Sequence, residues 1–363
     1  MQWRGPYEVV ERRNDNNYRI QLPSKVKLFH ANMLKRYTER KMDPESEVEV
    51  LGAAIVNVSN DEEVEFAEFS GKQSETYKSV NINPELPLEK REEIESLLSE
   101  FPDVFSDVPK VTGLGEHSIN LTSSDPIRSK PYPLPYAMRE AVDKEIDSML
   151  ELGIIEPSTA PYSSPIVVIR KSDGSNRICV DYRKLNNVTV FDPEPLPQIQ
   201  EIFSDLSGSQ YFSKFDFCKG YWQVPMSPED RDLTTFVTHR GLFKFRVMPF
   251  GLVNAPATFS RIMRKLLDKL QKLRNYLDDV LAHTAGWSQH VCTLRQFLER
   301  VREANLALKP SKCFVAYDEL TFLGHKLGQQ GVSPTAEMIE KIARAPAPTT
   351  KKQLRSFLGL VGY

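Results

Sequence analysis

Tyr276-Leu277-Asp278-Asp279 interrupts an apolar, strand-like run with two adjacent carboxylates. Successive side chains on a strand point to opposite faces, so neighbouring acids converge on one site only where a hairpin turns. The pair is therefore expected at a tip. Two carboxylates held that close repel each other and favour a hard divalent cation such as Mg2+, which takes one or two carboxylates plus substrate phosphates. An ordinary solvated turn would explain the tetrapeptide taken alone.

Upstream, Phe212-Ser213-Lys214-Phe215-Asp216-Phe217 alternates as a strand does and supplies a third acid. Three carboxylates from neighbouring strands suit a pair of metal ions that clamp the attacking and leaving oxygens of an in-line phosphoryl transfer. Asp216 to Met226, Met248 to Phe259 and Tyr276 to Asp279 resemble, in order and spacing, three core motifs of the reverse transcriptases of gypsy-type long-terminal-repeat retrotransposons. The resemblance covers roughly residues 85 to 363. It implies an α+β, right-hand polymerase with fingers, palm and a partial thumb.

At 363 residues, with 40% apolar and 26% charged side chains, the chain has room for two or three domains of ordinary globular composition. No apolar run approaches the roughly 20 residues that cross a bilayer. Met1-Gln2-Trp3-Arg4-Gly5 also lacks the apolar core of a signal peptide. An intracellular protein, cytoplasmic or nuclear and without a membrane partner, is expected. Cys179, Cys218, Cys292 and Cys313 show no Cys-x-x-Cys spacing, so they are read as reduced, mostly buried thiols. A net charge of −2 gives no global attraction to nucleic acid, but the average conceals a basic start and an acidic stretch.

Residues 1–40 carry three short alternating runs separated by turn-forming residues, a small β module. Gly5-Pro6-Tyr7, Asn17-Tyr18-Arg19-Ile20 and His30-Ala31-Asn32-Met33-Leu34-Lys35 resemble the C-terminal module of gypsy-type integrases, an SH3-like or chromodomain-like barrel. That likeness implies DNA or chromatin contact through residues 1–40 and a module lacking its first strand. Its place ahead of the polymerase departs from the usual polyprotein order, as in a rearranged lineage or a fused gene model. Residues 41–84, acidic and aperiodic, are expected to form a flexible linker. Residues 85–152 form the extension and first helix of the polymerase region, 153–328 the fingers and palm, and 329–363 the start of a truncated thumb. Protease, integrase-core and ribonuclease H signatures are not found.

The family resemblance assigns further roles. Ile166–Lys171 and Arg177–Tyr182 flank Asp173-Gly174, a hairpin-turn signal. Lys171 and Arg177 match positions that grip incoming nucleotide phosphates, as a point charge and a forked guanidinium suit. Tyr221 occupies the place of the aromatic ring that excludes a 2′-hydroxyl. Phe250 and Gly251 belong to the loop, Met248 to Phe259, that brackets template and nucleotide; Asn254 caps the helix that follows. Arg183 and Asn186 are assigned structural support. Phe322-Leu323-Gly324-His325 matches the element that holds the primer terminus.

The implied activity is RNA-directed DNA polymerisation: Asp216, Asp278 and Asp279 present two Mg2+ ions, or Mn2+ in their place, to an RNA template, a DNA primer and deoxynucleoside triphosphates. Asp216 and Asp278 are the expected direct ligands and Asp279 the electrostatic support. The alternative is a decayed or domesticated retroelement fragment that binds nucleic acid or chromatin.

Overall fold

The computed structural model describes residues 9–14, 17–22, 25–30, 74–123, 125–134, 136–170 and 176–362. The chain divides after Glu62 into two units. In the first, β1 (Val9–Asn14), β2 (Asn17–Leu22) and β3 (Lys25–His30) form an antiparallel meander; β2 and β3 cover the second and third alternating runs, and β1 overlaps the first at Val9–Val10.

The second unit is α+β. Its strands are β4 (Asn81–Ile82), β5 (Ile155–Pro157), β6 (Ser164–Arg170), β7 (Asn176–Val180), β8 (Tyr211–Asp216), β9 (Phe236–Thr238), β10 (Gly241–Phe245), β11 (Leu273–Tyr276), β12 (Asp279–Thr284), β13 (Phe314–Tyr317), β14 (Leu320–Phe322), β15 (His325–Gly328) and β16 (Gly331–Pro334). Its helices are α1 (Leu88–Ser99), α2 (Tyr136–Glu151), α3 (Arg183–Asn186), α4 (Ile199–Ser204), α5 (Ala255–Leu266), α6 (Trp287–Glu303), α7 (Ala336–Ala343) and α8 (Lys351–Val361). One sheet has the order β5-β10-β9-β6-β7, a second β11-β12-β8-β13-β4, and a third β14-β15-β16.

The second of these sheets positions the acids. Strand β8 is central, paired along both edges, and both its faces are covered by other elements. On one side Phe212, with Leu281 of β12, packs against Ile202, Leu206, Leu320, Phe322 and Leu327. On the other, Phe215 and Val280 meet the Leu294, Phe297, Leu298 and Val301 stripe of α6, with the Phe215 and Phe297 rings 4.9 Å apart. Full burial of such an aromatic side chain contributes roughly 1.5–3 kcal/mol, so the register of β8 is strongly held. A slip of one residue would turn both acids and aromatics inside out.

Helix α2 buries Val142, Ile146 and Met149, the face its periodicity predicts. Gly153, at φ +67, then turns the chain into β5. Residues 74–84, expected to belong to a flexible linker, are instead tied to the fold. Within residues 74–83, β4 pairs in parallel with β13, Asn81 Nδ2 donates to Ser311 O and Cys313 O, and Lys309 binds Glu75 at 2.7 Å. These residues complete a sheet edge, and an aperiodic acidic composition carries no signal of such distant pairing. Of the four cysteines, Cys218 and Cys313 are buried, Cys179 is half-buried and Cys292 is exposed, so the expected burial holds for two of them. No helix among the described residues is long and apolar enough to cross a membrane.

Candidate active site

Asp216 ends β8 and Asp279 begins β12, and the two are direct cross-strand partners. Side chains opposite each other on an antiparallel pair share a face. Tyr276 pairs with Asp279, so the β11–β12 hairpin closes through two residues, Leu277 and Asp278. Asp278 thus sits at the tip, beside the register pair. Leu277 takes φ +51, a left-handed conformation that costs a side chain roughly 1–2 kcal/mol. Its 8% exposure shows what compensates: the leucine is buried while the acid beside it stays half-exposed.

The electrostatics of this cluster are unusual for a sheet. Burial pushes the Asp216 carboxyl up to about 7; Lys312 opposes that rise, and Asp278 and Asp279 add to it. Lys312 Nζ stands 4.0 Å from Asp216 Oδ2, and Lys214 Nζ 3.0 Å from Asp279 Oδ1. The second contact is an ion pair without hydrogen-bond geometry, since Asp279 Oδ1 is buried and accepts no hydrogen bond. A buried carboxylate oxygen with no donor is costly unless a cation meets it.

The desolvated Asp216, an Asp279 oxygen met by Lys214 through charge and not through a hydrogen bond, and the all-oxygen donor chemistry fit a hard divalent ion. Among the described residues no group of three His, Cys, Asp or Glu side chains is arranged to hold a metal by itself. Mg2+ ordinarily completes its octahedron with water and substrate phosphates, so an incomplete protein cage is the expected form.

The segment after β8 is clamped to the core by Gln223, which has no exposed surface. Its Nε2 donates to Cys218 O and Ala307 O, and its Oε1 accepts from Ala307 N. Gly220 lies within this segment, where a β-carbon would come 3.3 Å from Asp278 Cβ and 3.0 Å from Phe259 Cζ. Tyr221, next along, stacks on Phe250 with centroids 5.0 Å apart. Both rings therefore adjoin the acids' segment, as their motif order anticipates. Gly251 follows at φ +94. Asn186 spans this turn: its Nδ2 donates to Gly251 O at 2.8 Å and its Oδ1 accepts from Val253 N at 3.0 Å.

Asn254 stands at the start of α5 but does not cap it with its side chain. Instead its amide donates to Val190 O and accepts from Asp192 N, tying a distant loop to the Phe250–Gly251 turn. Arg183 pairs with Asp181, whose carboxylate also accepts from the Tyr132 hydroxyl. Lys171 lies outside the described residues; Arg177 is on β7, across from Ile169.

Phe322 and His325 pair across a two-residue turn in which Leu323 and Gly324 both have positive φ, 48 and 74 degrees. Phe322 has no exposed surface and belongs to the core, so it anchors the turn and cannot itself touch a primer. Leu323, Gly324 and His325 present what surface the turn offers. The His325 ring meets Leu323 O at 2.9 Å and the edge of Phe203 at 4.9 Å.

Sequence reasoning passed over Lys214, Lys312, Gly220 and Gln223. Only the proximity of Lys214 to Asp216 in the strand pattern could have singled one of them out.

Residues 169–327 match the family described as reverse transcriptase (RNA-dependent DNA polymerase), and residues 5–36 the integrase p58 C-terminal domain. The Pol polyprotein of transposon 297 from Drosophila melanogaster is 38% identical over 255 residues, 68% of this chain and 24% of that protein. The transposon opus polyprotein of the same organism is 34% identical over 78% of this chain and 30% of its own length. In Schizosaccharomyces pombe the transposon Tf2-3 polyprotein is 31% identical over 84% of this chain and 23% of its own length. The matched chain thus spans less than a third of each of these relatives.

Among solved structures, the foamy viral protease-reverse transcriptase in complex with double-stranded DNA superposes with a TM-score of 0.71 at 25% identity, covering 79% of this chain and 50% of that one. The same viral protein with an RNA/DNA hybrid gives 0.68 at 25% identity, over 78% and 38%. The second unit therefore has the right-hand polymerase fold. Paired acids on a turned hairpin, the motif order around them and these likenesses converge: the chain belongs to the reverse transcriptase family, in the form carried by the Pol polyproteins of gypsy-type long-terminal-repeat retrotransposons, with an integrase C-terminal segment ahead of it.

Proposed function

We propose that this chain is an RNA-directed DNA polymerase, a nucleotidyltransferase that adds deoxynucleotides to a primer 3′-hydroxyl annealed to an RNA template. The observation that carries the reading is the register pairing of Asp216 with Asp279, with Asp278 at the adjoining turn. Asp216 and Asp278 would hold Mg2+, or Mn2+, with Asp279 supporting them. Bound there, divalent ions supply charge neutralisation for the attacking and leaving oxygens.

The remaining work falls to the chain's own side chains. In the reaction the primer hydroxyl attacks the α-phosphate and pyrophosphate leaves; positioning and electrostatics account for most of the rate. Lys171 and Arg177 would grip the triphosphate. Tyr221, held flat against Phe250, would floor the sugar and reject a 2′-hydroxyl. Gly251 lets the backbone come close to the base, and the Leu323-Gly324-His325 turn, anchored by Phe322, would steady the primer end. Residues 1–40 would contact DNA or chromatin. Residues 329–363 would begin the thumb.

The test is extension of a DNA primer on an RNA template by the purified chain, with deoxy- or ribonucleotides, beside Asp278→Asn. Extension that requires deoxynucleotides and disappears in the variant is the expected result. Template binding in a filter assay with no extension at any divalent ion concentration would instead select the binding-only alternative.

A further inference from the structure

Lys214 lies two residues before Asp216 on β8 and so shares its face. Its direct cross-strand partner is Leu281, yet its ammonium reaches diagonally to Asp279, 3.0 Å from Oδ1. Diagonal neighbours on a sheet are within reach of a long side chain. Both side chains are 22% exposed, enough burial to keep the pair from being fully screened. The same Asp279 oxygen accepts no hydrogen bond, so the ammonium supplies charge without occupying a lone-pair direction. Lys312 stands farther from its acid, 4.0 Å from Asp216.

We propose that Lys214 is a positioning residue that sets the affinity of the acid site for its divalent ion. It holds Asp279 opposite Asp216 when the ion is absent, and it competes with the ion for the electrostatic potential of the same oxygen. This rests on reading the three acids as the ion's site. A fixed positive charge beside a carboxylate lowers that carboxylate's attraction for any second cation. Removing the charge therefore tightens ion binding, and the hairpin tip loses the contact that fixes Asp279.

The experiment is Mn2+ titration of the full chain without nucleic acid, followed by electron paramagnetic resonance of the free ion. Lys214→Met is expected to bind Mn2+ about tenfold more tightly than the unmodified chain, while Lys214→Arg, which keeps the charge, stays within about twofold. Lys214→Gln retains most of the aliphatic stem and carries the same expectation if Lys214→Met does not fold. In an Asp279→Asn background Lys214→Met should still tighten Mn2+ binding by several-fold, because the ammonium repels the ion whether or not its partner is charged. Unchanged or weaker binding in folded Lys214→Met and Lys214→Gln overturns the proposal while leaving the acid site intact. Binding that survives Asp216→Asn together with Asp278→Asn overturns the acid site, and this inference with it.

Discussion

Gly220 backs directly onto Asp278: a methyl group on Gly220 would sit 3.3 Å from Asp278 Cβ and 3.0 Å from Phe259 Cζ. The hairpin tip is thereby seated on bare backbone, and any side chain there pushes on the acid. Gly220→Ala is expected to lower primer extension several-fold, since sub-ångström misplacement of a reacting group is expensive. Gly220→Val should abolish it, and steady-state extension rates check the gradation. Equal activity in all three proteins would show that the contact is slack.

The Asp216 carboxyl, raised to about 7 chiefly by burial, makes a signed prediction. Below the unfolded value near 3.8 the acid is protonated in both states. As pH rises from there through about 7, the unfolded chain loses its proton first and the folded state loses stability. Asp216→Asn should therefore raise the melting temperature at pH 8 in chelator, with the gain vanishing near pH 4. Thermal denaturation across that range measures it.

Three buried histidines tilt stability the other way. Burial holds His117 and His283 down to about 4 and His290 to about 3. Unfolded histidine titrates near 6.5, so stability is full above that value and falls as pH drops toward 4. His290 joins Ser213 Oγ at 2.7 Å and Thr284 Oγ1 at 3.0 Å, so His290→Ala opens a buried gap and takes one partner from each hydroxyl, leaving Ser213 Oγ with Ala316 N and Thr284 Oγ1 with Gly286 O. A loss of about 2–4 kcal/mol at pH 8 is expected, with a shallower acid limb in urea titrations.

Asn186 makes both its contacts across the Gly251 turn. Asn186→Ala removes both hydrogen bonds from an exposed turn whose carbonyl and amide water can reach, at a cost of about 0.5–1.5 kcal/mol each in stability or in turn order. The turn bears Phe250, on which Tyr221 stacks, so KM for the nucleotide should rise more than kcat falls. Asn186→Asp, which keeps one contact, should fall between. A change confined to kcat would contradict this role.

Much of the fold was legible in local pattern. The alternation of β8, the α6 stripe and the turn at Tyr276–Asp279 all depend on periodicities that neighbouring residues express directly. Asp216, Asp278 and Asp279 stood out because carboxylates inside apolar strands demand a reason. The Asn254 side chain misled, since a residue of cap type before a proline-bearing helix turn reads as a cap, yet Val190 O and Asp192 N claim its amide. The sheet-edge role of Asn81 was equally hidden, because its partners lie more than two hundred residues away.

By itself, the order of residues determined the strongly periodic elements, β8 and α6 among them, and which acids are too costly to bury without purpose, for both follow from side-chain period and charge. Tertiary structure alone decided that Lys214 answers Asp279, that Gly220 makes room for Asp278, and that Gln223 locks the intervening segment. Such choices depend on which distant segments share a face and how closely backbones approach, and no local periodicity encodes either distance.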